Sequence, residues 1–572
     1  MNQHKHTFDL EAQQIEQANP NYNEQNRRKH PKALPFLFLT EMWERFGYYL
    51  IIAIFTLYLT ALPESKGMGF DRKTASDIYG TFIALVYLTP FLGGLLADRL
   101  LGYRLSIIIG GILMGTGYIL LSVRDITVFY LALAIIILGN GFFKPNISTL
   151  LGNLYSEPQF KDKKDAGYNI FYMGINIGAF LCPFVAAYMR LKYGWGHAFI
   201  AAGVGMFLGI IIFMLGLKHY KSADVRKPPR PDDTKNWIIL GIVLLVSLIL
   251  GLFGFYFRKI TGLAFLGDST NAFVFAALPV ILFYINVWLT ADEHEKSPLA
   301  ALLAIFGVVI IFWAVFKQNG TALTTWSEFY TDRSMPAGLS KYAKEIGLTQ
   351  EITAKKDSVP KYDAQFRPER QNGKIVKVFG QHPYLNNLPS EKHPKENETL
   401  LLVPTELFQA VNPFWVIVLT PVIVSFFAWL RKRNKEPKTP TKIMYGLLIS
   451  ALSTLCMVAA VKVCDNGATK AGMSWLILTY FVITIGELCL SPMGLSLVSK
   501  LSPARVTGLM MGGWSLATSL GNKLSGVLAT LWDNYDNKAN FFLLNTILLL
   551  FATGLILVLL RWLNRVFTQY VG

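Results

Sequence analysis

Cysteine and charged residues are scarce in this sequence. The chain contains four cysteines, and no CxxC or cysteine–histidine spacing occurs, so that neither a metal site nor a disulfide framework is expected. Charged residues make up 16% of the chain, well below the roughly 25% of a soluble protein, whereas hydrophobic residues make up 52%. These proportions exclude a soluble multidomain enzyme, a disordered chain and a coiled coil.

Long apolar runs are abundant instead. Many reach 18 residues or more, and about 20 helical residues cross the hydrocarbon core of a bilayer. The predicted fold class is therefore an all-α polytopic membrane protein with 14 spans. The spans are expected near residues 34–61, 79–100, 104–123, 126–150, 167–190, 197–217, 236–256, 271–290, 298–320, 407–430, 440–463, 474–498, 504–532 and 541–563.

The net charge of +17 could indicate a nucleic-acid partner. In so apolar a chain, basic cytoplasmic loops are the better interpretation, and no nucleic acid is expected. Lysine and arginine concentrate in residues 27–32, 218–235 and 431–442 and close to the C-terminus. With fourteen spans these segments all fall on one side of the membrane. The positive-inside rule places that side, and both termini, in the cytoplasm.

Two spans differ from the rest. Segments 236–256 and 271–290 carry no charge or motif and follow a basic, proline-containing linker, which favours a peripheral hairpin facing lipid. The other twelve spans divide into six on either side of it. The polar stretch 331–406 is predicted to be periplasmic, either as a small lid or as a disordered loop. The predicted organisation is a cytoplasmic arm (1–33), a six-helix bundle (34–217), the linker with two extra helices (218–297), a second six-helix bundle (298–563) and a cytoplasmic tail (564–572).

A weak internal repeat relates the two sets of six spans. Leu88-Thr89-Pro90 in the second core span is matched by Leu419-Thr420-Pro421 in the eighth. Ile175-Asn176-Ile177-Gly178 in the fifth is matched by Thr518-Ser519-Leu520-Gly521 in the eleventh. Parallel repeats of six spans are typical of transporters that bind substrate between their halves at the membrane midplane.

A charge inside a membrane span is costly and is functional by default, and six charged residues within predicted spans are candidates for function. On a helix, Glu41, Arg45, Tyr48 and Tyr49 share one face, and Glu44 borders it. Two acids one turn apart beside shared cations can hold one proton between them, which predicts a proton relay. Pairs that only hold helices together are the alternative. The six residues are Glu41, Glu44, Arg45, Lys144, Lys317 and Glu487.

Three further residues, Ser491, Trp313 and Asp98, accompany these charges. Ser491 follows Glu487 by one turn, and Lys317 follows Trp313 by one turn. Asp98 lies at the cytoplasmic end of the second span, where it is predicted to anchor a loop or to gate the pathway and not to contact substrate.

The first span carries the most specific motif. Glu41-Met42-Trp43-Glu44-Arg45-Phe46, followed by Tyr48-Tyr49, resembles the ExxERFxYY signature of the proton-dependent oligopeptide transporter family, a branch of the major facilitator superfamily. The resemblance extends over both halves, and the two extra helices resemble those of prokaryotic members. Similar family motifs occur at 93–98 (GGLLAD), 141–146 (GFFKPN), 171–178 (FYMGINIG) and 487–492 (ELCLSP).

The resemblance implies two six-helix bundles that import di- and tripeptides with protons by alternating access. By position, it implies that Glu41, Glu44, Arg45 and Lys144 couple the proton and that Glu487 binds the peptide ammonium. The side chains implied to line the substrate pocket are Tyr48, Tyr49, Tyr87, Asn176, Trp313, Asn412 and Trp514. Membrane packing alone is the alternative role for most of the aromatic residues.

Two positions depart from the family pattern. The arginine that usually follows the tyrosine pair by three residues is Ile52 here, and the acid that usually follows Trp313 by four residues is Lys317. We predict that Lys317 binds the substrate carboxylate. The alternatives are that it locks the halves by pairing with Glu41, Glu44 or Glu487, or that it reaches the membrane interface. These departures bear on selectivity and leave the architecture unchanged.

The sequence thus predicts a proton-coupled symporter of di- and tripeptides in the cytoplasmic (inner) membrane of a bacterium. Its expected partners are short peptides, protons as the coupling ion and the lipid bilayer, with no other cofactor, and we expect a monomer. Two alternatives stay open: a proton symporter of the same fold for another amino-acid derivative or anion, and a peptide sensor that does not transport. No catalytic pattern indicates an enzyme.

Overall fold

The computed structural model describes most of the chain. Asp98, nearly all of the N-terminal arm and much of the basic linker, for which the sequence made predictions, lie outside the described residues. The described residues are 30–90, 93–94, 97, 101–160, 163–224, 233–263, 267–372, 374–395, 398–503 and 506–571.

Each predicted span overlaps a long helix of the described chain. Eleven helices in this part of the chain are long and apolar enough to cross a membrane, so the count of fourteen spans stays a prediction. Two short helices, α10 (Ala322–Phe329) and α11 (Ala337–Glu345), follow the ninth long one. The fourteen long helices are α1 (Leu34–Thr60), α2 (Arg72–Leu88), α3 (Tyr103–Leu120), α4 (Ile126–Leu154), α5 (Lys164–Tyr193), α6 (Trp195–Leu215), α7 (Asp233–Thr261), α8 (Asp268–Leu289), α9 (Glu293–Phe316), α12 (Val411–Lys432), α13 (Thr439–Val463), α14 (Met473–Leu501), α15 (Thr507–Thr530) and α16 (Lys538–Val571).

Several helix ends differ from the predicted spans, and two of these differences bear on the candidate site. Helix α2 begins at Arg72, seven residues before the predicted start, and the Asp71 carboxylate caps it by accepting a hydrogen bond from the Thr74 amide at 2.9 Å. Its first turns are too polar to be recognised from hydropathy. Helix α9 ends at Phe316, and residues 317–320 form a 3₁₀ turn, so that Lys317 lies at the end of the helix and not within it.

The helices form two bundles, each around its own apolar core. Helices α1 to α6 surround one core, which includes Phe55, Phe82 and Phe129. Helices α9 and α12 to α16 surround the other, which includes Phe312 and Phe542. The outer faces of both bundles expose many large apolar side chains, both aliphatic and aromatic, as is expected of surfaces that face lipid.

Helices α7 and α8 pack against each other as a hairpin. Most of the apolar side chains of α7 are exposed, as expected of a peripheral helix facing lipid. Helix α8 is more than a lipid-facing element, because it contacts both bundles. The Tyr284 hydroxyl donates to the Leu509 carbonyl in α15 at 2.7 Å, and the Thr270 hydroxyl bonds to the Asp77 carboxylate in α2 at 3.1 Å.

Residues 331–406, which we call the cap, are folded in their described part. Ile352, Tyr384, Leu385 and Leu402 are buried together in a small apolar cluster. The described part of this stretch is therefore folded and not a disordered loop, and its role as a lid stays a prediction. The cap strands are β1 (Thr331–Asp332), β2 (Gln350–Thr353), β3 (Asp357–Pro360), β4 (Arg370–Gln371), β5 (Lys374–Ile375), β6 (Lys377–Gly380) and β7 (Thr399–Leu402).

The cap strands pair over short distances. The pairs β2–β7, β3–β6 and β4–β5 are antiparallel, with Gln350 opposite Leu402 and Asp357 opposite Gly380. Strand β1 pairs in parallel with β8 (Ala471–Gly472), which precedes α14. The cap is thereby attached to the second bundle.

The two bundles touch at the end of the molecule that carries the cap, which we call the cap end. Helices α2 and α15 approach so closely that a Cβ atom on Gly80 would lie 2.7 Å from the Gly526 Cα. The Ser519 hydroxyl donates to the Ala84 carbonyl at 2.7 Å, and the Lys523 ammonium lies 2.7 Å from the Asp77 carboxylate. In this conformation the halves are closed together at the cap end.

Candidate functional site

The predicted site residues converge on the contact between the two bundles. A cavity of about 30 Å³ lies there, with room for about one water molecule, so a ligand requires the halves to move apart. Helices α1, α2 and α5 form one wall, and the 3₁₀ turn and α12 form the other. Its lining residues are Tyr48, Tyr49, Ile52, Tyr79, Ile83, Ala179, Pro183, Lys317, Asn319, Gln409, Asn412 and Pro413.

Glu41, Glu44 and Arg45 form a buried charged cluster on α1. All three are at most 2% exposed. The Arg45 guanidinium hydrogen-bonds to the Glu44 carboxylate, and its Nε lies 3.6 Å from Glu41 Oε1. Glu41 Oε2 is buried without a hydrogen-bond partner. The cluster therefore places two carboxylates against a single guanidinium, which is the arrangement that the sequence predicts for holding one proton.

Tyr87 lies between two lysines that come from different halves of the molecule. The Lys144 ammonium, from α4, lies 4.0 Å from the centre of the Tyr87 ring, and the Lys317 ammonium lies 5.8 Å from it. The Arg45 guanidinium stands 5.1 Å from the ring of Tyr48 next to this group. Cations from both halves therefore lie close to the tyrosine rings of the first bundle.

The opposite charge comes from Glu487 on α14. The Asn412 amide donates to Glu487 Oε2 at 3.1 Å and to the Thr484 hydroxyl at 2.9 Å, which fixes the orientation of the carboxylate. Lys317 interacts with Glu487 electrostatically. Among the ion pairs of the described chain, none within 4.0 Å joins Glu487 to a cation. Its charge is therefore only partly compensated.

Lys317 lies at the centre of the molecule. It is 9% exposed, and its ammonium is 5.5 Å from the Trp313 ring and 5.6 Å from the Phe316 ring. The interfacial position that was one alternative is therefore not observed. The locking alternative is not observed as a direct contact either, because the described residues show no ion pair of Lys317 within 4.0 Å. Ile52 lines the same cavity.

The remaining predicted residues do not line the central cavity. The Asn176 amide bonds to the Tyr172 carbonyl of its own helix at 3.0 Å, and Trp313 Nε1 is buried without a partner. Trp514 packs against Phe306 and so closely on Gly494 that a Cβ there would lie 1.9 Å from its ring. Trp514 does not line the described cavity. Ser491 is half-buried on α14, one turn beyond Glu487.

Several site residues were missed by sequence reasoning. The Gln409 amide donates to the Asn319 carbonyl at 2.7 Å, and the Gln318 amide donates to the Ser525 carbonyl at 3.0 Å, so both stabilise the turn that carries Lys317. Tyr79 lines the central cavity as well. In the sequence, the polar run Gln318-Asn319-Gly320 at the end of an apolar segment was the feature that could have indicated this turn. Gln409 and Tyr79 carry no comparable signal.

The ion pairs that close the cap end were also missed. Arg190 Nε lies 2.6 Å from Glu406 Oε1, and Arg72 Nη1 lies 3.1 Å from Asp533 Oδ1. Each pair joins residues more than 200 positions apart in the chain, one from each half. Charged residues close to span ends are indistinguishable from ordinary loop charges in the sequence.

Two helical bundles with ionisable residues buried at their contact define a secondary transporter of the major facilitator type. Comparison with protein families gives the same answer in more detail. Residues 104–338 and 396–546 match the model of the POT family. The chain therefore belongs to the POT family, as the sequence motifs predict, and it is a transmembrane protein.

Relatives of known name agree with this assignment. The chain is 29% identical over 554 residues to a di-/tripeptide transporter of Lactococcus lactis subsp. cremoris, covering 95% of this chain and 97% of the relative. The crystal structure of a peptide transporter POT in complex with sulfate superimposes with a TM-score of 0.72 at 28% identity, covering 95% of this chain and 96% of that one. A POT family transporter in complex with 5-aminolevulinic acid has a TM-score of 0.72 at 25% identity, covering 94% and 97%.

Proposed function

We propose that this protein is a proton-coupled symporter that imports di- and tripeptides across the cytoplasmic membrane by alternating access. The observation that carries the proposal is the presence of opposite charges at the contact between the bundles, where Glu487 and Lys317 come from the second bundle and Lys144 comes from the first. A dipeptide is a zwitterion, so its site needs an anion for the ammonium and a cation for the carboxylate. The relatives named as peptide transporters support this substrate class.

Proton coupling is assigned to the buried cluster on α1. Glu41 and Glu44 share Arg45, and the unpartnered Glu41 oxygen is available to accept a proton. Protonation of either carboxylate weakens its electrostatic attraction to the Arg45 guanidinium. The freed guanidinium lies beside Tyr48 at the substrate cavity, so proton binding and substrate binding are coupled over one helical turn.

Alternating access is supported by the closure of the cap end. We assign the cap to the periplasmic side, because the basic loops at the other end obey the positive-inside rule. The ion pairs Arg190–Glu406 and Lys523–Asp77 join the halves on this side and have to break when the site opens outward. The conformation described here is closed to the periplasm.

Uptake of labelled dialanine into proteoliposomes tests the proposal. Accumulation is expected with an inward proton gradient, and counterflow is expected without one. A peptide sensor that does not transport would bind dialanine without counterflow. Counterflow without any effect of the proton gradient would overturn the coupling.

A symporter for another amino-acid derivative is the second candidate. It is favoured by one observation, the replacement of the usual arginine–acid pair by Ile52 and Lys317, which line the same cavity. One similar structure was solved with 5-aminolevulinic acid. Competition of dialanine counterflow by amino-acid derivatives separates the candidates, since the second predicts that a derivative competes more strongly than any dipeptide.

Lys317→Ala is expected to raise the KM for free dipeptides roughly 10-fold or more, because a hydrogen bond to a charged group contributes about 1.5–3 kcal/mol. C-terminally amidated peptides are expected to lose little further affinity, since they have no carboxylate to bind. Counterflow kinetics measure both values. Lys296→Ala, at the exposed start of the helix that ends immediately before Lys317, is the matched control. Unchanged kinetics of Lys317→Ala would contradict the assignment.

A second test of Lys317 restores the residue types that the family usually has at positions 52 and 317. Ile52 and Lys317 line one cavity from opposite halves. The combined change Ile52→Arg and Lys317→Glu therefore moves the cation from the second half to the first. The double variant is expected to transport dialanine faster than Lys317→Glu alone. Equal or lower activity of the double variant would show that the two positions are not coupled.

Gly80→Leu is expected to reduce uptake at least 10-fold by preventing closure of the cap end. A Cβ on Gly80 would already lie 2.7 Å from Gly526 Cα, so α2 and α15 cannot approach as they do here. Uptake and the accessibility of a cysteine placed at Ser519 measure the effect, and the cysteine is expected to become reactive from the periplasm. Gly307→Leu is the control, because a Cβ on Gly307 would meet no atom within 4 Å. Normal uptake by Gly80→Leu would contradict this role of the contact.

A further inference from the structure

A second, larger cavity lies at the cap end, between the cap and both bundles. Its volume is about 600 Å³, within the range of roughly 300–1,000 Å³ that is typical of small-molecule sites. We call it the cap chamber. The walls include Thr56 and Thr60 of α1, Thr324 of α10, and Tyr362 and Tyr384 of the cap.

The cap chamber lies next to the central site along the same path. Ile52 lines the central cavity, and Thr56, one turn further along α1, lines the chamber. Little protein separates the chamber from the central cavity. The Thr56 hydroxyl donates to the Gly320 carbonyl, at the end of the turn that carries Lys317. A molecule in the chamber would therefore be one helical turn from the transport site.

Most charges around the chamber are paired. Arg72 pairs with Asp533, and Arg333 Nη2 lies 3.2 Å from Glu328 Oε2. The guanidinium of Arg333 also donates from Nη1 to the Val403 carbonyl at 2.9 Å, but its Nε is buried without a partner.

Two of the cations that line the chamber, Arg370 and Lys470, have no ion pair in the described chain, and of these two only Lys470 is buried. It is 7% exposed, its ammonium donates to the Phe329 carbonyl at 2.7 Å, and it lies 4.2 Å from the centre of the Tyr384 ring. No carboxylate of the described chain lies within 4.0 Å of it. Burial, together with the charge of neighbouring Arg333, lowers the pKa of Lys470 to about 7. Glu328 and Asp332 act on this ammonium only from beyond ion-pair distance, so an anion that enters the chamber would stabilise it further.

The cationic groups of Lys470 and Arg333 both lie close to the Tyr384 ring. The Arg333 guanidinium carbon lies 5.4 Å from the Tyr384 ring centre, compared with 4.2 Å for the Lys470 nitrogen. Two cations on one ring offer a carboxylate two donors. The tyrosine and phenylalanine side chains of the chamber supply apolar contact for peptide side chains of different shapes.

We propose that the cap chamber is a second binding site for short peptides, in which Lys470, assisted by Arg333, binds the peptide carboxylate before the peptide enters the central site. This proposal rests on the proposed function for its substrate class. The cap closes the chamber by contacts with the first bundle. Arg72 Nη1 donates to the Gln365 carbonyl at 2.9 Å, and Arg370 Nη2 donates to the Gly69 carbonyl at 2.6 Å. Separation of the halves breaks these contacts and admits the peptide.

Equilibrium dialysis of the purified full chain with labelled dialanine tests the proposal. The wild type is expected to bind two equivalents per chain, and Lys470→Gln is expected to bind one. Thr325→Trp, which fills the chamber without removing a charge, is expected to lose the same equivalent. In counterflow, Lys470→Gln is expected to raise KM several-fold and to leave kcat within twofold. Lys341→Gln, an exposed lysine on α11 in the cap, is the matched control and is expected to keep two equivalents.

The outcomes separate this proposal from the proposed function. Uptake of dialanine with a single bound equivalent in the wild type would overturn the second site and leave the transport function intact. Two equivalents in both Lys470→Gln and Thr325→Trp would overturn the chamber as the location. Absence of both binding and uptake of dialanine would overturn the proposed function and the second site with it.

Discussion

Glu44→Gln is expected to abolish gradient-driven accumulation of dipeptide while leaving counterflow measurable. One proton moved inward gains about 2.3 kcal/mol per 100 mV, which corresponds to a concentration ratio of roughly 40-fold. In the variant Arg45 keeps only Glu41, whose nearest oxygen is 3.6 Å from its Nε, so the proton has no second carboxylate to share. The accumulation ratio in proteoliposomes at an imposed gradient is expected to fall to about 1.

The control for this change is Glu293→Gln, at the exposed start of α9, where the glutamate pairs with Lys296. It is expected to accumulate dipeptide like the wild type. Glu41→Gln is expected to behave like Glu44→Gln, because the two acids act as one unit around Arg45. Survival of accumulation in Glu44→Gln would show that the proton is carried elsewhere.

Glu487→Gln is expected to weaken dipeptide binding roughly 10- to 150-fold. The carboxylate is oriented by Asn412 at 3.1 Å, and it forms no close ion pair in the described chain, so it is free to bind an ammonium. A charge-assisted hydrogen bond of this kind contributes about 1.5–3 kcal/mol. Competition of dialanine counterflow by free and N-acetylated dialanine measures the effect.

The two peptides respond differently if the assignment is correct. N-acetylated dialanine should compete poorly with the wild type, and its weak competition should change little in Glu487→Gln, because it has no ammonium to lose. Glu345→Gln, an exposed glutamate on α11, should bind free dialanine as the wild type does. Equal competition by free and acetylated peptides in the wild type would refute the role of Glu487.

Most of the fold could be predicted from hydropathy. Each apolar run became a long helix because a bilayer leaves the backbone no other way to satisfy its hydrogen bonds. Hydropathy did not predict the structure of the polar segments at the start of α2 and in the cap. Helix α2 extends back to Arg72, where side-chain capping stabilises it, and the cap folds around Tyr384 and Leu402 although its strands are only two to four residues long.

The candidate site could be predicted only in part. Glu41, Glu44 and Arg45 are neighbours on one helix, so the motif and the helical period together place them side by side. Lys144 and Lys317 are 173 positions apart, and no local pattern indicates that they flank the same tyrosine ring. The same is true of the chamber around Lys470, which is formed by the cap, α1 and α10 together.

The sequence by itself determined the membrane-spanning character, the paired sets of six helices and the family. These properties reside in segments of about 20 residues or in short motifs, and each can be recognised without its neighbours. Only the tertiary structure decided which charges stay unpaired. Whether Lys317 or Lys470 has a carboxylate partner depends on atoms brought from distant helices, and in a buried site that difference separates a structural ion pair from a ligand-binding group.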